Sequence, residues 1–256
     1  MNIFIAPFIN ALFGFYYLFG NFGWAVIAVT VIIRILLIPL VLPSLKSAKA
    51  MQKLQPQLKK IQEKYKGDKN GLAKAQMELY KKEGVNPLSG CLPQILQIAV
   101  LILFFNAFNT VTNYAVGKGD INYINNNLVT YFQIDEGFEM NLSFFNSTLT
   151  DTPGSIYKTG DFALMVLPIL LLLGSAVLQF LSSKLMMPAP KVDENLVKAT
   201  KDKEDDMMGA MRTQSLYLMP LMTVFIGWGF NLGILLYWFV NSGVMLIQQM
   251  VVSKDK

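Results

Sequence analysis

The feature that most constrains this chain is a run of twenty residues, positions 23–42, that is apolar except for Thr30 and Arg34. An apolar helix of about 20 residues crosses the roughly 30 Å hydrocarbon core of a bilayer. Arg34 is the twelfth residue of the run, so the sequence predicts a cation near the membrane midplane. Such a charge costs on the order of 2.5–3.5 kcal/mol on insertion scales, which favours a functional residue facing protein or water. The alternatives are an arginine that snorkels to the interface or pairs with an acid inside the bundle.

Further apolar stretches recur along the 256 residues, 53% of which are hydrophobic, and they predict an all-α, polytopic membrane protein. The sequence has no histidine and one cysteine, which excludes His-ligated metals, Ser-His-Asp triads and a disulfide framework. It also lacks the glycine-rich motif of a P-loop. We therefore expect a protein that is not an enzyme and has no catalytic residue, metal or cofactor.

Five membrane spans account for the apolar stretches, at residues 22–43, 91–112, 161–182, 213–229 and 232–252. Residues 1–21 are apolar and aromatic but carry Pro7, Asn10 and Gly14, which favours a helix lying on the outer surface over another short span. The connecting segments are a cytoplasmic helical hairpin at residues 44–85, an external loop at 113–160, a cytoplasmic loop at 183–212 and a cytoplasmic tail at 253–256.

The predicted hairpin at residues 44–85 contains eleven lysines and four acidic residues. Its apolar residues Leu54, Leu58, Ile61 and Tyr65 follow one another at +4, +3 and +4, which is one face of a helix. A glycine-rich turn and a weaker second stripe follow, so we expect two antiparallel helices with a narrow apolar seam. The alternative is a solvated loop that happens to be helical.

The distribution of positive charge predicts the orientation of the five spans. Outside the spans, 19 lysine and arginine residues fall in segments that this topology puts on one side, against two on the other. Cytoplasmic loops carry the excess of lysine and arginine in membrane proteins. The N-terminus is therefore expected outside, and the hairpin and the C-terminus inside.

Polar side chains recur within the predicted spans at helical spacing and from mid-membrane to the cytoplasmic end. Such groups either hydrogen-bond between helices or line water, and for each one alone the bond between helices is the more common role. As a set around a buried arginine, they predict a hydrated groove that opens to the cytoplasm and stops halfway. The candidate groove residues are Arg34, Thr30, Gln97, Ser175, Gln179, Trp238, Asn241 and Gln248.

Four stretches of the sequence resemble the YidC/Oxa/Alb family of membrane protein insertases. Residues 21–40 (NFGWAVIAVTVIIRILLIPL) resemble the first core helix with its arginine, and residues 54–68 resemble the first arm of the hairpin. Residues 79–97 (LYKKEGVNPLSGCLPQILQ), the most specific stretch, resemble the hairpin exit and the next helix. Residues 236–249 (LYWFVNSGVMLIQQ) resemble the last helix.

The resemblance implies a small insertase of the bacterial cell membrane, without the large periplasmic domain of Gram-negative members. It puts Arg34, Gln179 and Trp238 at positions of the family's hydrophilic groove. The implied partners are client membrane proteins, the lipid bilayer and, through the hairpin, the Sec translocon, the signal recognition particle receptor and the ribosome. Sequence-specific binding of nucleic acid is not implied.

Two other functions are alternatives at this stage. A small transporter or channel is the first, although the sequence shows no inverted repeat and its polar residues do not line the outer half of the membrane. An intramembrane enzyme that uses Ser183 and Lys184 is the second, and the lack of histidine and of a mid-span acid argues against it.

Overall fold

The computed structural model of the protein describes residues 3–65, 67–86, 92–186 and 213–254. The chain is an all-α membrane protein, apart from one pair of two-residue strands. The predicted loop at 183–212 and the start of the predicted span at 91–112 lie partly outside these residues, as does the end of the tail. The elements are α1 (Ala6–Phe19), α2 (Phe22–Leu36), α3 (Ile38–Lys53), α4 (Gln55–Lys64), α5 (Lys69–Lys82), α6 (Leu92–Ala115), α7 (Ile121–Asn125), a 3-10 turn (Thr130–Phe132), β1 (Ser143–Phe144), β2 (Ser147–Thr148), α8 (Pro153–Thr159), α9 (Val166–Met186), a π turn (Gln214–Leu218), α10 (Met219–Gly227) and α11 (Leu232–Lys254).

The predicted first span, residues 22–43, is two helices rather than one. Helix α2 ends at Leu36, and α3 leaves it at an angle of 60°. Pro39 lies in the first turn of α3, where its missing N–H is tolerated, but its ring prevents α2 from continuing straight through this position. Helix α2 has 15 residues, a length of about 22 Å, so it does not cross the hydrocarbon core by itself.

Three helices are long and apolar enough to cross a membrane, within Ile95–Ala115, Val166–Met186 and Leu232–Ser253, and the bent pair brings the number to four. The fourth predicted span, residues 213–229, corresponds to a helical segment at Gln214–Gly227. That segment has 14 residues, a length of about 21 Å, which is shorter than a hydrocarbon core. Within the described residues, at most four of the five predicted spans are therefore long enough to cross the hydrocarbon core.

Helix α1 packs against α2 and contributes Ile9, Leu12 and Phe13 to the main apolar core. It ends at Gly20, whose φ of 66° is a left-handed conformation that glycine adopts at low cost. The side chain of Asn21 then caps the start of α2 by accepting hydrogen bonds from the backbone N–H groups of Gly23 and Trp24. Whether α1 lies on or within the membrane stays a prediction.

The predicted external loop, called the outer segment below, is hydrogen-bonded to α1 and to the start of α11. Asn10 of α1 donates to the carbonyl of Asn127 and accepts from the N–H of Val129, both at 2.7 Å. The N–H groups of Leu232 and Gly233, at the start of α11, donate to carbonyls of the same segment at 2.8 and 2.9 Å. Because the first N–H groups of a helix have no partner within it, these bonds satisfy them and fix where α11 starts.

Helices α4 and α5 form a separate small unit in the hairpin region. Leu54 and Leu58, at the start of α4, are buried against Leu79 and Tyr80, near the end of α5. The start of one helix thus meets the end of the other, so the two run in opposite directions. The turn between them is stabilised by Asp68, whose carboxylate accepts from the N–H of Gly71 at 2.9 Å.

Candidate functional site

Arg34 lies in the last turn of α2, two residues before that helix ends at the bend. Its side chain is 7% exposed. The C-terminus of a helix carries partial negative charge on its unpaired carbonyls, so a cation in this turn is stabilised. The bend therefore gives the arginine a more favourable place than the middle of the straight helix that the sequence predicts.

Three side chains of α11 hold Arg34. Its Nε donates to Oδ1 of Asn241, and its Nη2 lies 3.9 Å from the sulfur of Met245. Gln248 donates to the backbone carbonyl of Arg34 at 3.3 Å. The three residues follow one another at +4 and +3, so they share one face of α11 and meet the end of α2 as a set.

The guanidinium keeps donors that these contacts do not use. Within the described residues, Nη1 and the second hydrogen of Nη2 have no acceptor, and both recorded acceptors are neutral. A buried charge is stable only when it is hydrogen-bonded or paired. The free donors thus mark the position where water or an anionic group would complete the site.

Tyr237 connects this group to α6. Gln97 donates to the hydroxyl of Tyr237 at 3.1 Å, and the ring of Tyr237 stacks on Phe104 with centroids 4.3 Å apart. Tyr237 is not among the residues predicted from the sequence, because a tyrosine in an apolar helix gives no sign that its hydroxyl is used. Its position one turn before Asn241 is the only available signal.

Two further candidate residues, Gln179 and Trp238, have contacts that are separate from the Arg34 group. The hydroxyl of Thr223 donates to Oε1 of Gln179 at 2.8 Å, which joins α10 to α9. Trp238 packs beside the ring of Phe230, with centroids 5.7 Å apart. No hydrogen bond is seen, among the described residues, between Gln179 or Trp238 and the Arg34 group. Thr223 is another residue that sequence reasoning missed.

Thr30 and Ser175 are buried and bond to their own helices. The hydroxyl of Thr30 donates to the carbonyl of Val26, and that of Ser175 to the carbonyl of Leu171, both at 2.6 Å. This pattern is the usual way in which a helix satisfies a buried hydroxyl donor. Each oxygen keeps a lone pair, so these two residues offer acceptors to the site rather than donors.

Three buried side-chain atoms have no hydrogen-bond partner among the described residues. Two of them, Oγ of Ser182 and Oε1 of Gln249, lie near the ends of α9 and α11, in the same half of the bundle as Arg34, and the third, Oγ of Ser147, lies in β2. An unpaired buried polar atom costs about 1–3 kcal/mol. Water in this half of the bundle would remove that cost.

A cavity of about 230 Å³ lies between α3 and the last turn of α11 and is lined by Lys46, Lys49, Ala50, Lys53 and Val252. Lys49 donates to the carbonyls of Val252 and Ser253 at 3.1 and 3.3 Å. Lysine is favoured at the C-terminus of a helix because it neutralises the partial charge of the last carbonyls. The bundle is therefore basic at the end that lies nearest to Arg34.

Comparison with known proteins matches residues 14–256 to the family model described as 60Kd inner membrane protein. A relative from Fusobacterium nucleatum subsp. nucleatum is 32% identical over 92% of this chain and 87% of its own length. Relatives from Endomicrobium trichonymphae and Streptomyces avermitilis are 29% and 32% identical over 94% and 91% of this chain. This chain spans only 37% and 52% of those two proteins. All three relatives are named membrane protein insertase YidC.

Proposed function

Because this chain belongs to the 60Kd inner membrane protein family, the family of the YidC insertases, we propose that it inserts client proteins into a bacterial cell membrane. Its long apolar helices agree with a multi-pass protein of that membrane. The observation that carries the proposed mechanism is Arg34, buried between α2 and α11 with N–H donors that no described residue uses.

The proposed groove is the space that faces these donors. Its candidate lining is the set predicted from the sequence: Arg34, Thr30, Gln97, Ser175, Gln179, Trp238, Asn241 and Gln248. The hydrophilic segment of a client enters the groove, where the arginine and its amide neighbours replace part of its water. A charge pair counts for more there than in water, because the effective dielectric constant is lower.

The driving force is the transfer of the client's apolar helix into lipid. Each buried CH₂ group contributes roughly 0.8 kcal/mol, so a helix of about 20 apolar residues supplies enough energy without a nucleotide. We propose that this helix leaves along α6 and α10. Both helices expose apolar side chains outward, including Ile98 and Ile102 on α6 and Leu221 and Phe225 on α10.

We further propose five spans, with the N-terminus outside and the C-terminus inside. The bent pair α2–α3 is one span, and the helical segment at Gln214–Gly227 is a short one. A short span is accommodated by local thinning of the bilayer, which would lower the barrier to a polar segment nearby. The lysine-rich hairpin then faces the cytoplasm, where the Sec translocon, the signal recognition particle receptor and the ribosome are its proposed partners.

Site-specific photo-crosslinking during translation of a small membrane protein tests the proposed function. A crosslinker at Arg34, Gln179 or Trp238 should capture the nascent client at short chain lengths. A crosslinker at Tyr131, an exposed residue of the outer segment, serves as the control and should not. Purified protein in liposomes should also insert the client without ion flux; ion flux without insertion would support a channel instead.

A further inference from the structure

The strands β1 and β2 are joined by a loop of two residues, Phe145 and Asn146. Phe145 has a φ of 53°, and it is the only non-glycine residue with a positive φ among the described residues. Its side chain is 78% exposed. Two-residue hairpin loops favour asparagine and glycine at such positions, and a bulky residue there is strained. Folding alone gives no reason for an exposed phenylalanine at this point.

A row of aromatic rings leads from this loop to a membrane helix. Phe145 packs edge-on against Phe144, with centroids 4.8 Å apart, and Phe144 packs edge-on against Trp24, at 5.8 Å. Trp24 lies in the first turn of α2 and is 52% exposed. Phe144 sits directly on Gly23, where a Cβ atom would come within 2.1 Å of its ring. The strand pair is therefore fitted to the start of α2.

The same loop is tied to the start of a second membrane helix. Asn146 donates to the carbonyl of Ala163 at 3.2 Å. The neighbouring Phe162 is 76% exposed and precedes α9, which begins at Val166. The β1–β2 loop thus lies at the level where both α2 and α9 begin. For a long apolar helix that level is the boundary between headgroups and acyl chains.

We propose that the β1–β2 loop is a membrane anchor, in which Phe145, flanked by Trp24 and Phe162, inserts into the interface of the leaflet where α2 and α9 begin. Aromatic side chains concentrate at this depth in membrane proteins, since their rings suit the boundary between acyl chains and headgroups. The occupant of the exposed aromatic face is lipid. The left-handed backbone at Phe145 is what turns its ring outward, away from the core that holds Phe144.

Depth-dependent quenching tests the anchor on the full chain. Two single-cysteine variants are made in a Cys91→Ser background and labelled with an environment-sensitive dye. One replaces Phe145, and the other replaces Glu136, an exposed acidic residue of the predicted external loop. In liposomes, the label at position 145 should emit at a shorter wavelength than the label at position 136. Lipids that carry a spin label at the headgroup or on the upper acyl chain should quench it at least twofold more. Equal emission and equal quenching at 145 and 136 would overturn the proposal.

The variant Phe145→Gly provides a second test that does not depend on a label. Glycine suits the positive φ, so the strand pair should stay folded while the aromatic side chain is lost. In the wild-type protein, amide hydrogen exchange over residues 142–149 should be several-fold slower in lipid nanodiscs than in amphipol. In the variant this difference should disappear. An unchanged difference would show that Phe145 does not hold the loop to lipid.

Discussion

The Nε of Arg34 donates to the side-chain oxygen of Asn241, and this hydrogen bond joins the last turn of α2 to the middle of α11. Its acceptor is neutral, so the positive charge of the arginine is oriented without being cancelled. That distinction matters for the proposed mechanism, because an attraction for acidic client segments requires an arginine whose charge is still available.

The variant Asn241→Asp should show whether the mechanism needs the positive charge of Arg34 or only the orientation of its side chain. The substitution keeps the shape of the side chain but places a carboxylate against the guanidinium, which cancels its field. We expect the variant to fold, with a Tm in detergent equal to or above that of the wild type. In liposomes, we expect insertion of clients with acidic translocated tails to fall several-fold and insertion of clients with neutral tails to stay unchanged.

Ser253→Asp is the matched control for this variant, since it adds the same charge at the exposed end of α11. It should leave insertion of both kinds of client unchanged. If Asn241→Asp inserts acidic clients as well as the wild type does, the charge of Arg34 is not what attracts them.

Helix α11 contains two glycines that offer a matched test of its packing. A Cβ at Gly233 would come within 2.2 Å of the ring of Phe108, whereas one at Gly243 would meet its nearest neighbour at 3.9 Å. Gly233→Ala should destabilise the protein by about 1–3 kcal/mol through overpacking. Gly243→Ala should be neutral or slightly stabilising, because alanine favours helix. Thermal unfolding in detergent distinguishes the two; equal Tm values would contradict the packing described here.

The hairpin should be separable from the membrane bundle. Its apolar cluster of Leu54, Leu58, Leu79 and Tyr80 is distinct from the main core. Deleting residues 54–82 should therefore leave the remaining helices inserted, as judged by membrane extraction and Tm, but abolish complementation of a depleted strain. Full complementation by the deletion variant would show that the hairpin is dispensable and would remove the proposed docking of cytoplasmic partners.

Cysteine labelling tests the orientation that the lysine distribution predicts. In a Cys91→Ser background, a cysteine at Lys69 should react with an impermeant maleimide only after the cells are opened. A cysteine at Lys118, in the outer segment, should react in intact cells. Reaction at position 69 in intact cells would contradict the proposed topology.

Local sequence properties predict the long apolar helices well. Helices α6, α9 and α11 overlap the predicted spans at 91–112, 161–182 and 232–252. This agreement is expected because length and hydropathy, both read directly from the sequence, decide whether a helix can cross a membrane. The break between α2 and α3 is harder to see, since the apolar run continues through it and Pro39 is tolerated in a first helical turn. The family resemblance is confirmed by the match over residues 14–256.

Contacts between distant parts of the chain are what the sequence does not reveal. Asn10, read from the sequence as an interruption of an apolar helix, binds the backbone at Asn127 and Val129 instead. The pairs Gln97–Tyr237 and Gln179–Thr223 likewise join residues from different helices. The spacing of polar residues along the sequence does not indicate such partners, because each pair depends on how whole helices pack against one another.

The central claim is that the charge of Arg34 attracts the hydrophilic segment of a client, and Arg34→Ala tests it most directly. The variant also relieves the cost of a buried charge, so it should fold normally, and Arg34→Lys should retain much of the activity. The measurement is insertion of paired clients, acidic and neutral in the translocated tail, by purified protein in liposomes. We predict that Arg34→Ala loses the acidic client first, by several-fold relative to the neutral one. Equal insertion of the acidic client by Arg34→Ala and by the wild type would contradict the electrostatic role of this residue.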